Sequence, residues 1–298
     1  MKLKLSILST LGVAAFAVST AHADLLVSYT DPTGNRVGLF NNSGTLLQNY
    51  TNPLATYVNV QRITTDNSGN LYIADASSKI FKFDISTGAY AGNVFFGSNY
   101  SLTGVGFNPN NPGQILYAGA TGGTTQLGIV DSTTGGLLAA FNGGGYNNVS
   151  YDSQSNKIIS ALSAANVTQF FNTTTAQYEG NLVDANTKGQ TVVTLGTNRY
   201  YGTTDGKIRN DAGTLIYDFG ITSNIYQIAT DGTNLLTADL SNGVISTIST
   251  SGTLLSSFDV GNDARGVAFT AVPEPSTYAL IGLSGLGLLA FRRRFRRA

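Results

Sequence analysis

The sequence predicts an all-β fold of six four-stranded sheets set in a ring, on three observations. A unit of strand, polar turn and strand recurs six times, over Phe40 to Tyr50, Phe83 to Phe95, Val130 to Phe141, Phe171 to Val183, Arg209 to Phe219 and Ile248 to Phe258. The strands alternate apolar and polar residues, and nothing repeats with a helical period. The chain also begins with three strands of a unit, around Leu25, Val37 and Thr45, and ends near Gly266 to Thr270 with the strand that this unit lacks. Units of about 40 residues with four strands each define a β-propeller. Pairing the two ends completes the sixth blade and leaves no sheet edge open for aggregation. The competing architectures are a seven-bladed ring, if one unit is miscounted, and a right-handed parallel β-helix, which would show shorter and more uniform coils.

Each element has a local cause. Five of the turns carry Gly, at Gly44, Gly88, Gly135, Gly213 and Gly252, and the sixth carries Ala176. Glycine tolerates the positive φ that such a turn demands. The clearest copies run from Ile63 to Asp84 and from Ile228 to Ser249, where three apolar strands are separated by two turns rich in Asp, Asn, Ser and Gly. The Phe and Tyr residues at strand positions are expected to pack between blades. Asp66, Asp152 and Asp231 follow the innermost strands and read as turn residues.

Composition narrows the chemistry. Of the 298 residues, 42% are apolar, 11% are charged and 35 are Gly, which fits a folded chain of short strands and tight turns. Residues 24–271 carry 16 Asp+Glu against 10 Lys+Arg and contain no Cys, His, Trp or Met. An acidic surface disfavours nucleic acid and anionic lipid as partners. Without imidazole or thiolate, His-dependent lyase, zinc and cysteine chemistry lose their residues. Glu179 is the one Glu in this stretch, which leaves a glycosidase carboxylate pair dependent on Asp. The N-x-S/T triplets at Asn41, Asn49, Asn99, Asn148, Asn166 and Asn172 are what chance provides in a chain rich in Asn, Ser and Thr.

The two ends are addressed to a membrane. Lys2 and Lys4 precede an apolar run, and Ala21 and Ala23 supply the small residues of a signal-peptidase site, so residues 1–23 are expected to be a cleaved signal helix. Residues 24–271 form the expected propeller domain and residues 272–298 a tail. In the tail, Pro273, Glu274 and Pro275 precede an apolar run over 276–291, and Arg292, Arg293, Arg294, Arg296 and Arg297 end the chain. A run of 16 residues rises about 24 Å as a helix, short of the roughly 30 Å hydrocarbon layer, so the flanking Arg must snorkel. The Arg cluster stays in the cytoplasm, which places the propeller outside.

The order of Pro-Glu-Pro, short membrane helix and basic end resembles the PEP-CTERM signal that exosortases recognise in exopolysaccharide-producing bacteria. The resemblance implies cleavage near Pro273 to Pro275 and either release or re-attachment of the domain, with the catalysis belonging to the exosortase. The units around Leu71 to Asp84 and Leu235 to Ser249 resemble NHL- and YVTN-type propeller repeats, a fold that hosts binding, scaffolding and enzymatic functions alike.

In such a ring, the loops entering the innermost strands and those joining second to third strands share one face. By repeat position this face carries Asp31, Arg62, Asp75, Lys188, Asp205, Tyr226, Asp239 and Arg265. A ring of carboxylates and guanidinium groups could hold Ca²⁺, orient a sugar or grip a charged peptide, while each Asp alone is explained by the amides of its own turn. No catalytic residue, metal ligand or cofactor is assigned, and Ca²⁺ is the ion considered for the ring. The preferred reading is a non-enzymatic surface or matrix protein that binds polysaccharide or envelope proteins. The alternatives are an Asp- and metal-assisted hydrolase, lactonase or lyase, and a matrix protein with no specific ligand.

Overall fold

Alternating strands joined by short turns pair with their chain neighbours into antiparallel meanders, and the computed structural model shows six of them. It describes residues 24–51, 57, 59–96, 100–121, 124–143, 146–162, 167–183 and 189–270. Blade I holds β1 (Leu25–Asp31), β2 (Gly34–Phe40) and β3 (Leu46–Asn49). Blade II holds β4 (Val60–Thr65), β5 (Asn70–Asp75), β6 (Lys79–Asp84) and β7 (Tyr90–Phe96). Blade III holds β8 (Ser101–Phe107), β9 (Gln114–Thr121), β10 (Thr124–Asp131) and β11 (Leu137–Asn142). Blade IV holds β12 (Ser150–Asp152), β13 (Lys157–Leu162), β14 (Val167–Phe171) and β15 (Tyr178–Val183). Blade V holds β16 (Gly189–Leu195), β17 (Asn198–Thr203), β18 (Lys207–Asn210) and β19 (Leu215–Asp218). Blade VI holds β20 (Ile225–Thr230), β21 (Asn234–Asp239), β22 (Val244–Ser249) and β23 (Leu254–Asp259), and β24 (Asp263–Phe269) returns to blade I.

The last strand closes the ring. The sheet order of blade I is β24-β1-β2-β3, with Leu25 opposite Phe269 and Val27 opposite Val267, and the Thr270 amide donates to the Asp24 carbonyl at 3.0 Å. The expected six blades and the pairing of the two ends are both present, in place of seven blades or stacked coils. Among the described residues there is no helix. The expected signal helix, the cleavage residues Ala21 and Ala23, the Pro273, Glu274 and Pro275 motif, the apolar run and the terminal Arg cluster all lie outside the described residues.

Period-two alternation sends successive side chains into the two flanking blade interfaces, so the core is divided into six clusters, one per interface. Between blades I and II, for example, Leu26, Val37 and Tyr50 pack on Ile63, Ile73 and Phe83. The interface between blades IV and V has the smallest cluster among the described residues, with Ile159, Ala161, Val192 and Tyr201. Polar contacts supplement it. Asp152 is 0% exposed, and its Oδ2 accepts Arg199 Nε at 3.2 Å and Nη2 at 2.7 Å from blade V, while Thr194 Oγ1 donates to Oδ1 at 2.6 Å. Asp152, expected to do turn chemistry alone, therefore also staples two blades. Burial pushes its carboxyl pKa up, but the bonds from Arg199, Ser155 and Thr194 outweigh this and hold it below the ordinary value.

The outer turns explain their glycines twice over. Gly135 and Gly252 have φ of 71° and 87°, and a Cβ there would sit 2.5 Å from the Val94 carbonyl oxygen and 2.3 Å from that of Ile216, each on the outermost strand of the preceding blade. Ala176, at the one turn without Gly, adopts φ of 54° and is buried against blade III.

Two measurements check this account. Gly252→Ala is expected to cost about 3 kcal/mol, since backbone strain of about 1 kcal/mol adds to the overpacking, whereas Gly69→Ala meets open space and should cost about 1 kcal/mol. Equal melting temperatures for the two variants, read by circular dichroism of the full chain in detergent, would remove close blade approach as the reason. Arg199→Met should cost about 3–5 kcal/mol near neutral pH by stranding a buried carboxylate. Because the folded pKa of Asp152 is depressed, the pair's contribution is complete above the unfolded carboxylate value of about 3.9 and is lost as pH falls through the lower folded value. The penalty of Arg199→Met should therefore shrink in melts taken from about pH 7 down to about pH 2.5.

Candidate functional site

The innermost strands each have one edge that faces the central channel without a strand partner, so their backbone groups need other partners. Five of them carry a bulge near the start. The ladder to the second strand skips one residue between Leu102 and Gly104, Gly189 and Thr191, and Ile225 and Gln227, it skips two between Val60 and Ile63 against one on β5, and the β1–β24 ladder skips one opposite Ser28 and Tyr29. Three of the skipped residues, Thr103, Gln190 and Tyr226, turn their carbonyls toward the channel.

Arg62 fills it. Its guanidinium is 0% exposed and donates to the Tyr226 carbonyl through Nε at 3.0 Å and Nη2 at 2.7 Å, to the Gln190 carbonyl at 3.4 Å, and to the carbonyls of Thr103 and Asn147. One side chain of blade II thus reaches blades III, IV, V and VI. The Tyr226 ring lies 4.1 Å from the guanidinium carbon. Burial pulls the Arg62 pKa down and Tyr226 opposes it. The guanidinium stays charged nonetheless, and carbonyl dipoles with an aromatic face replace its water.

The bonds continue from blade to blade around the channel. Ser28 Oγ donates to the Gln61 carbonyl at 2.8 Å, Thr103 Oγ1 to the Tyr146 carbonyl at 3.0 Å and Asn148 Nδ2 to Thr191 Oγ1 at 2.7 Å. The Ile228 amide donates to Thr191 Oγ1, and Gln227 Oε1 accepts the amides of Ile63 and Val267, each at 3.2 Å. Gly266 makes the last crossing possible, because a Cβ there would lie 3.1 Å from Gln227 Oε1 and 2.4 Å from Ser28 Oγ.

The residues expected to form an open ligand mouth are instead committed locally. Arg62, expected on the surface, is the correction: the bulge aims it into the channel, where it joins Tyr226. Asp75, 0% exposed, accepts the amides of Asn59 at 3.1 Å and Ser77 at 2.8 Å. Asp239, 3% exposed, accepts those of Asn224 at 2.9 Å and Ser241 at 3.0 Å. Both carboxylates therefore clamp the loop entering their own blade. Asp31 accepts Thr33 and pairs with Arg36 at 3.2 Å, and the Thr33 hydroxyl leads in lowering its pKa. Asp205 is pushed up by burial, but Lys207 at 2.7 Å and Thr203 bring it below its ordinary value. Arg265 bonds Asn59 and pairs with Asp263 at 3.2 Å. Lys188 lies outside the described residues. Among the described residues no three carboxylates come together, so the Ca²⁺-holding ring that repeat position implied is not assembled from them.

The cavity is at the other end of the channel. A space of about 430 Å³ is lined by all six innermost strands, from Ile63, Val105, Val149, Val192, Ile228 and Val267 outward to the turns that follow them. Asn148 and Gln227, both buried, stand at its inner end, while Asn67, Pro109 and Ser153 at its lip are exposed. Among the described residues, no Asp, Glu, Lys or Arg lines it. None of the expected site residues does either. Its one sequence signature is a stretch of Thr, Ser, Val and aromatic residues at the ends of the innermost strands, which reads as ordinary strand composition.

Comparison with known proteins bears on the tail and on the fold. Residues 271–297 match the family model of the PEP-CTERM protein-sorting motif. The described fold is similar to solved structures of a protein of unknown function from Bacteroides caccae (TM-score 0.64, 10% identity, 84% of this chain and 100% of that one) and of a nidogen/laminin complex (0.66, 11%, 84% and 98%). It is also similar to TolB from Acinetobacter baumannii (0.60, 10%, 83% and 66%). No curated protein matches the sequence. At such identities the likeness is one of fold alone. The chain is thus a six-bladed β-propeller that carries a PEP-CTERM sorting motif. The motif implies export and exosortase-mediated sorting to the surface.

Removing the plug tests the channel account. Arg62→Met is expected to cost about 3 kcal/mol or more, because several buried carbonyls lose their donor, with Arg62→Lys falling between it and the wild type. A melt of Arg62→Met within a degree of the wild type would show that the guanidinium does not hold the blades.

Proposed function

We propose that the protein is a non-enzymatic binding or scaffold module of the cell surface or extracellular matrix. A signal over residues 1–23, cut after Ala23 by signal peptidase, takes it across the inner membrane. The apolar run over 276–291 and its Arg cluster hold it there until an exosortase acts at Pro273, Glu274 and Pro275. Polysaccharide or an envelope protein is then its partner.

The observation that carries this reading is the position of the sorting motif. It begins at residue 271, directly after the strand that closes the ring, so sorting acts on a propeller complete in its last blade. Binding is favoured over turnover by where the charges are. Among the described residues, the channel-end cavity has no carboxylate or cation at its walls, and the carboxylates of the opposite face are taken up by amides, hydroxyls and cations of their own loops.

Cell fractionation in a host with an exosortase tests the route. Pro273→Ala and Glu274→Ala chains should remain in the membrane fraction while the wild type moves to the surface or medium. An unchanged distribution in both variants would overturn the sorting step.

A further inference from the structure

The channel-end cavity points to a ligand. It narrows from an exposed lip at Asn67, Pro109 and Ser153 to buried walls at Asn148 and Gln227. Arg62, bonded to carbonyls of four other blades, lies across the channel. The space is therefore a blind funnel and not a through-pore. Its volume of about 430 Å³ falls in the range of ligand-sized pockets, about 300–1,000 Å³.

The lining selects by chemistry. With no Lys, Arg, Asp or Glu among the described residues of its walls, a carboxylate, phosphate or ammonium entering it would lose hydration and gain no counter-charge there. A purely apolar guest would strip water from the hydroxyls of Thr64 and Ser150 and give nothing in exchange, while the buried amides of Asn148 and Gln227 are already bonded within the channel. What matches both halves is an uncharged polyhydroxylated molecule with apolar ring faces. Three half-buried aromatic side chains, Phe107, Tyr151 and Phe269, stand among the hydroxyls. The Tyr151 ring is held in place from behind: its hydroxyl bonds Asn156 Oδ1 at 2.8 Å and Asn110. An aromatic wall fixed before binding loses little entropy on binding.

The geometry points to recognition of the free end or a short branch of an uncharged glycan, received in the channel from the face where Asp24 and Thr270 also lie. A blind funnel admits an end and refuses the passage of a continuous chain. This inference names the ligand class of the surface-binding reading above and rests on it. Fractionation tests the sorting and titration tests the funnel, so each can fail alone.

The test is calorimetric titration of the full chain in a non-glycosidic detergent. The probes are linear uncharged gluco-, galacto- and manno-hexasaccharides, a cyclic glucose oligomer without ends, and a linear oligogalacturonate. At least one linear neutral probe is expected to bind, with the cyclic oligomer and the oligogalacturonate at least about tenfold weaker. Asn67→Trp, at the exposed lip, should lower the binding at least about tenfold with an unchanged melting temperature, and Ser153→Arg should narrow the preference against the oligogalacturonate. Absence of binding by all three linear neutral probes overturns the inference. So does equal binding of the charged or cyclic probe, or binding that Asn67→Trp leaves intact.

Discussion

Everything in this molecule answers to the unpaired inner edges of six strands. A sheet edge inside a ring cannot be covered by another strand, and its amides and carbonyls are too buried to be left to bulk water. The chain meets this with bulges that turn backbone groups toward the channel and with side chains that cross from one blade to the next. Arg62 is the largest of these. Its planar fork of five donors suits convergent carbonyls, as a single ammonium would not. Thr191 and Gln227 do the same at smaller reach, and Gly266 is small so that Gln227 can pass.

This solution divides the propeller into two unlike ends. At one, Arg62, Asp75, Asp205 and Asp239 are bonded to carbonyls, amides and cations of their own loops and of neighbouring blades, so this end is chemically occupied. At the other, the same strands enclose a space whose described lining is uncharged. The bonds that close the first end also make the second end blind. Stability and recognition are here consequences of one arrangement of bulges.

The blades are not equivalent. Five interfaces rest on larger clusters of buried apolar side chains, while that between blades IV and V has a small one supplemented by Asp152, Arg199, Thr194, Asn148 and Thr191. A buried, bonded ion pair contributes little net stability by itself, but removing one partner is costly because it strands the other charge. Among the described residues this junction carries an ion pair between two blades, so its strength follows pH.

The sequence by itself determined the number of blades, the closure of the ring by β1 and β24, the turns at which positive φ occurs and the sorting motif. These depend on local chemistry and on period, which a single chain displays openly: Ala176, the one exception among the glycines, still adopts the predicted left-handed turn. Only the tertiary structure decided what the charged residues do. Repeat position located Arg62, Tyr226, Asp75 and Asp239 at one end of the ring, but one extra residue in a strand reverses which way a side chain faces, and a bulge leaves no mark in composition. Arg62 finds its partners 41 to 164 residues away, and Arg199 finds Asp152 at a distance of 47. The funnel is likewise a space between six strands, each with an unremarkable run of Thr, Val and Ser, and its shape exists only once the ring has closed.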